Sequence, residues 1–168
     1  MLVRLQTIIG PLCLETDSGK LIRVYLPTEA PEAPPPPHNS PEEAFFTQIN
    51  EYLLGQRRHF DIPVQLPART TPSQQRILQH LAAIPYGSTA TYGSLGPARA
   101  VGQVCATNPL PLIIPCHRVV PVRNAPGQYR GGTELKRFLL QIEAANHSSS
   151  LFFPLGESAM REMFPHIP

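Results

Sequence analysis

A chain of 168 residues, 42% hydrophobic and 15% charged, can bury a core, which excludes wholesale disorder. The net charge of +2 selects no partner by itself, and three cysteines without a C-x-x-C pair exclude a disulfide framework and offer no paired zinc spacing. No apolar run reaches transmembrane length, and the N-terminus lacks the basic-then-apolar order of a signal peptide. The expected location is therefore cytoplasmic, or nuclear in a eukaryote, with no membrane partner and with thiols kept reduced.

Leu2 to Ile9 and Leu21 to Leu26 are rich in branched apolar residues and read as strands, with turn chemistry at Asp17-Ser18-Gly19. Residues 27–41, with Pro34 to Pro37 in a row, predict an extended connection. Ser40-Pro41-Glu42-Glu43 then opens a helix, and Phe45, Phe46, Ile49, Tyr52 and Leu53 recur at helical spacing until Gly55. Phe60 to Leu66 reads as a short strand or extended segment. This order predicts a small α+β N-terminal domain over residues 1–69.

Thr71-Pro72-Ser73-Gln74 repeats the capping signature, with Ile77, Leu78, Leu81 and Ile84 on one face. A further helix is predicted from Pro97 to about Cys105. The last runs from Thr133 to Glu143, with Leu135, Phe138, Leu139 and Ile142 at i, i+3, i+4 and i+7. Residues 70–146 thus form a mostly helical second domain, and 147–168 an irregular tail. Between Tyr86 and Arg137, six basic residues (Arg99, Arg118, Arg123, Arg130, Lys136, Arg137) stand against the single acid Glu134. That imbalance predicts a local basic surface suited to phosphates.

The chemistry concentrates at Cys116. A cysteine attacks as thiolate, so something must take its proton. His117 and Arg118 follow directly and offer a base or a positive field, while Pro109, Pro111 and Pro115 stiffen the approach. A buried cysteine acting as a small hydrophobe is the commoner fate of an isolated Cys-His pair.

The longer context decides otherwise. The run Asn108-Pro109-Leu110-Pro111-Leu112-Ile113-Ile114-Pro115-Cys116-His117-Arg118-Val119-Val120 resembles the active-site segment of the O6-alkylguanine-DNA alkyltransferases. Ala98-Arg99-Ala100-Val101-Gly102-Gln103 upstream is similar to that family's recognition helix. Tyr129-Arg130-Gly131-Gly132 and the segment Lys136 to Glu143 extend the match downstream. The resemblance covers residues 72–143. It implies a ribonuclease-H-like α/β N-terminal domain and a winged-helix-like C-terminal one, an α+β fold overall.

It further implies one displacement per molecule, with the Cys116 sulfur taking the alkyl group from O6 of a damaged guanine. In the implied catalytic set His117 is the base, acting through a water, Glu143 orients it, and Tyr92 protonates the departing guanine. The partner is double-stranded DNA held in the minor groove, with the damaged nucleotide flipped out and Arg99 filling the gap. Ala98, Ala100, Gly102, Gln103, Arg118 and Arg130 complete the expected DNA contacts, and Asn108 pins the loop structurally. The expected protein is a monomer with no cofactor and no metal, since Cys13, His38 and His59 lack paired spacing.

One departure stands out. Tyr92 to Arg99 spans seven residues, roughly two helical turns fewer than the family pattern. Gly93, Gly96 and Pro97 oppose a regular helix there, so the helix-turn-helix is shortened and DNA binding is expected to be weaker. Two other functions remain open from sequence. One is an alkyltransferase-like lesion sensor that binds without transfer; the other is a turnover thiol hydrolase.

Overall fold

The computed structural model describes residues 1–123 and 126–147. The expectation for the tail lies outside the described residues, save for His147. Three antiparallel strands open the fold in the order β1-β2-β3: β1 Leu2–Thr7, β2 Gly10–Asp17 and β3 Lys20–Tyr25. The central strand β2 is an addition to the sequence reading. Pro11 and the polar residues Glu15 and Asp17 disguise it, yet it pairs on both edges and buries Leu12, Cys13 and Leu14. The β2–β3 hairpin closes through Ser18 (φ 50°) and Gly19 (φ 77°). Two consecutive left-handed residues match the twist of antiparallel strands.

Helix α1, Pro41–Leu53, starts where its caps dictate: the Ser40 hydroxyl accepts from the Glu43 N–H at 3.2 Å. Its Phe45, Phe46, Ile49, Tyr52 and Leu53 enter the core. Residues 60–66 run extended beside β3, joined by one parallel bridge between Leu21 and Val64. Helix α2, Pro72–Ala82, carries a complete capping box, with the Gln74 N–H donating to Thr71 Oγ1 and the Thr71 N–H to Gln74 Oε1. Thr71→Ala is expected to lower stability by about 1 kcal/mol, read from denaturant midpoints at unchanged m-value.

The shortened segment forms more helix than the sequence predicts. After the two-residue strand β4, Ala90–Thr91, a single turn α3 spans Tyr92–Leu95. His80 of α2 lies 2.9 Å from the Leu95 carbonyl and anchors the turn. Gly96 and Pro97 then break it before α4, Ala98–Thr107. Strand β5, Val119–Val120, pairs in parallel with β4, and α5 runs Thr133–Ala145. One apolar core joins the sheet and α1 to α2, α4 and α5. The Val24 N–H donates to the Pro109 carbonyl at 2.9 Å, fastening β3 to the loop that leads to Cys116. No helix among the described residues is long and apolar enough to cross a membrane.

Candidate active site

The loop from Asn108 to Pro115 is held by its own first residue. Asn108 Oδ1 accepts from the Leu110 N–H at 3.0 Å, and its Nδ2 donates to the Ile114 carbonyl at 2.9 Å. Between these bonds Leu112 adopts φ 73°, a left-handed conformation that a bulky side chain rarely accepts. Burial of Leu110, Leu112, Ile113 and Ile114 and the flanking Asn108 bonds keep it there. The loop delivers a 3₁₀ turn, Cys116–Arg118, whose three side chains are all buried.

Cys116 forms part of the wall of a cavity of about 480 Å³, with Tyr92, Ala98, Gly102, Cys105, Gln128, Tyr129 and Arg130. Five residues singled out in sequence thus meet at one hollow: Cys116, Tyr92, Ala98, Gly102 and Arg130. Gly102 lies beside the Tyr92 ring, where a Cβ would sit 4.0 Å away, an ordinary packing contact. A larger cavity, about 720 Å³, shares Ala106 and Arg130 but does not present Cys116. The chemistry therefore belongs to the smaller one. Arg99 and Gln103 are exposed on α4, and Ala100 is half-buried against the core.

Burial pushes the Cys116 thiol up from its ordinary value, opposed by a hydrogen bond from the Asn108 side chain and by the charge of Lys136. The resting group is a thiol. His117 is fully buried, and burial drives its imidazole below the ordinary value against the pull of Glu143. A neutral imidazole results. Its Nε2 lies 2.6 Å from Glu143 Oε2, while Nδ1 is buried with no hydrogen-bond partner.

Glu143 is the hub. Burial alone would raise its carboxyl, but His117 and Arg118 outweigh that and hold it far below the carboxylate range. It accepts from Arg118 Nε at 2.6 Å and Nη2 at 3.1 Å, from the Tyr52 hydroxyl at 2.5 Å and from the Gly87 N–H at 3.4 Å. Gly87 has φ 79°, and a Cβ there would come within 2.2 Å of the His147 ring, so this donor position requires glycine.

Arg118 departs from its expected place at the DNA, and the expected basic surface is smaller than the sequence count implied. Arg118, expected at the DNA, is 1% exposed and spends its guanidinium on Glu143 and on the Ile84 carbonyl at 2.7 Å. Lys136 is also fully buried, its ammonium donating to the carbonyls of Val119 at 2.6 Å and Gln128 at 3.3 Å. Arg130 lines the cavity, but its guanidinium is tied to Glu29 at 2.7 Å and to the Asn108 carbonyl at 3.1 Å. The basic surface therefore reduces to Arg99, Arg123 and Arg137, the last paired with Glu134 at 3.0 Å. Tyr52 and Gly87 are parts of the site that sequence reasoning did not supply, and Tyr129 and Lys136 stood there only within matched segments, without a role in the site. Cys105 shares the cavity, but burial pushes its thiol up to about 12, so it stays protonated beside Cys116.

Residues 72–145 match the profile of the 6-O-methylguanine DNA methyltransferase DNA-binding domain. The methylated-DNA–protein-cysteine methyltransferase of Mycobacterium tuberculosis is 36% identical, over 85% of this chain and 92% of its own length. The constitutive methylated-DNA–protein-cysteine methyltransferase of Bacillus subtilis is 41% identical over 60% of this chain and 64% of its own. In three dimensions, the Mycobacterium tuberculosis OGT crystallised in complex with DNA superposes with a TM-score of 0.76. It shares 32% identity and covers 88% of this chain and 95% of that one. With a relative matched at this identity along nearly its whole length, the chain belongs to the methylated-DNA–protein-cysteine methyltransferase family.

Proposed function

We propose that this protein repairs DNA directly, moving a methyl or larger alkyl group from O6 of guanine to its own Cys116 in a single turnover. The observation that carries this reading is the Cys116 thiol in the wall of a cavity, next to a neutral, buried histidine backed by a buried glutamate. The Cys116 sulfur attacks the alkyl carbon as the carbon–O6 bond breaks, and the thiol proton passes to His117 Nδ1 through a water. Tyr92, whose hydroxyl burial holds above its ordinary value and therefore protonated, supplies a proton to the departing guanine. The product thioether resists reduction, so each molecule acts once.

A guanine in the helix stack cannot reach a buried thiol in a cavity wall, so the nucleotide must be flipped out of double-stranded DNA. Arg99, exposed and one residue from cavity-lining Ala98, fills the gap from the minor groove in this reading. Arg99→Ala is expected to slow transfer from duplex DNA by at least about tenfold while scarcely changing transfer from a single-stranded oligonucleotide, which leaves no gap. Equal slowing on both substrates would make Arg99 a simple phosphate contact. We further read residues 1–69 and 70–146 as the two domains. The single-turn α3 weakens DNA binding relative to a member with the complete motif, and the protein acts as a monomer in the cell interior.

The test is stoichiometry. Repaired oligonucleotide should plateau at one equivalent per protein. Continued turnover would indicate a thiol hydrolase, and lesion binding without repair an alkyltransferase-like sensor.

A further inference from the structure

Tyr52 lies on α1, outside the profile match at 72–145, yet its hydroxyl enters the centre of the site. It donates to Glu143 Oε2 at 2.5 Å and lies 3.1 Å from His117 Nε2. Its ring is 1% exposed, packed 5.3 Å from Phe60 and 6.3 Å from Tyr86, centroid to centroid. We propose that Tyr52 is a positioning residue that fixes the tautomer and orientation of His117, so that Nε2 carries the proton and Nδ1 turns its lone pair to the Cys116 thiol. This rests on the alkyl-transfer reading above.

The argument is one of donor and acceptor counts. A phenol has one proton, and here it is committed to Glu143, so towards His117 the oxygen can only accept. An ionised carboxylate likewise only accepts. Both neighbours of Nε2 are therefore acceptors, and Nε2 must be the protonated nitrogen. Were the proton on Nδ1 instead, the Nε2 lone pair would face a carboxylate oxygen 2.6 Å away. The remaining nitrogen, Nδ1, has no protein partner of its own and is free to receive a proton.

The groups facing His117 set the direction of a pH effect. Tyr52 faces it from α1, Glu143 and Lys136 from α5, Cys116 and Arg118 from its own turn, and Tyr129 at 6.4 Å between ring centroids. Burial holds both tyrosines well above their ordinary values, so neither ionises. Arg118 and Lys136 oppose a charge on His117, and Glu143 favours it. The Tyr52 proton occupies Glu143 Oε2 and tempers that carboxylate's pull. Its removal should raise the imidazole and move the acid limb of the rate upward in pH.

The experiment compares the wild-type protein with Tyr52→Phe, which retains the ring. Single-turnover transfer from an O6-methylguanine duplex is followed across pH, and the ¹⁵N spectrum of the wild-type imidazole is recorded in parallel. Tyr52→Phe should still methylate to completion, about tenfold more slowly near neutrality, with its acid limb shifted to higher pH. An unchanged rate, or a slower rate with an unshifted limb, would reduce Tyr52 to packing and overturn the proposal. The wild-type spectrum should show the Nε2-protonated tautomer, and an Nδ1-protonated one would overturn the proposal even if the variant fails to fold. Absence of transfer by the wild type would instead sink the alkyl-transfer reading, and Tyr52 would then be judged by the ¹⁵N titration of the imidazole in Tyr52→Phe against wild type, where an unshifted titration overturns the proposal.

Discussion

His117→Gln is expected to slow single-turnover methyl transfer by about 10²- to 10⁴-fold, the range a positioned general base supplies. Burial lifts the Cys116 thiol and lowers the His117 imidazole, so both rest neutral and the proton must move during the attack. The wild-type rate should hold steady down to the ordinary histidine value of 6.5 and fall only below it, because the base form persists to lower pH than in a free imidazole. In His117→Gln that limb should vanish. A wild-type rate that instead climbed through the ordinary cysteine range, with no loss in the variant, would mean the thiolate forms without His117.

Glu143→Ala should cost about 3–5 kcal/mol of stability, because it leaves the Arg118 guanidinium buried without its counter-charge. Arg118 is 1% exposed and bidentate on Glu143, its one acidic partner among the described residues. Adding Arg118→Met should return much of the loss, a coupling that a double-mutant cycle in denaturant reads directly. The same pairing makes the fold acid-labile. Folded-state values for both Glu143 and His117 lie below their ordinary 4.5 and 6.5. Their contributions are present in full above those ordinary values and are lost as pH falls through the depressed ones, since the unfolded chain then binds more protons. Thermal midpoints should decline below pH 6.5 and more steeply below pH 4.5. A flat profile would show the pair to be uncoupled from folding.

Helix starts were legible because caps are local: Ser40-Pro41 and Thr71-Pro72 each satisfy orphan N–H groups within one turn. The Cys116 loop was legible because its prolines and Asn108 act within eight residues of one another. Strand β2 was obscured by its mixed composition, and only pairing on both edges makes it a strand.

Helix α5 teaches most. Its apolar residues Leu135, Phe138 and Ile142 are only half-buried, whereas the buried stripe one position along is Lys136, Leu139 and Glu143. A charged residue reads as solvated until its partner is known, and the partners of Glu143 come from α1, from Gly87 and from the turn after Cys116. The same blindness placed Arg118 on the DNA. Lys136 and Glu143 flanking Leu139 at i+3 and i+4 spacing was the available signal that this face carries function rather than packing alone. Tyr52 gave no such signal, since a tyrosine among Phe45, Ile49 and Leu53 on an apolar helix face reads as core.

Chemistry at Cys116 is the central claim, and intact-protein mass spectrometry with peptide mapping reaches it most directly. After incubation with a duplex carrying O6-methylguanine, the protein should gain one methyl, about 14 Da, located on Cys116. Folded Cys116→Ala should gain nothing. A wild-type mass unchanged after full exposure, or a methyl mapped to any other residue, would contradict the assignment.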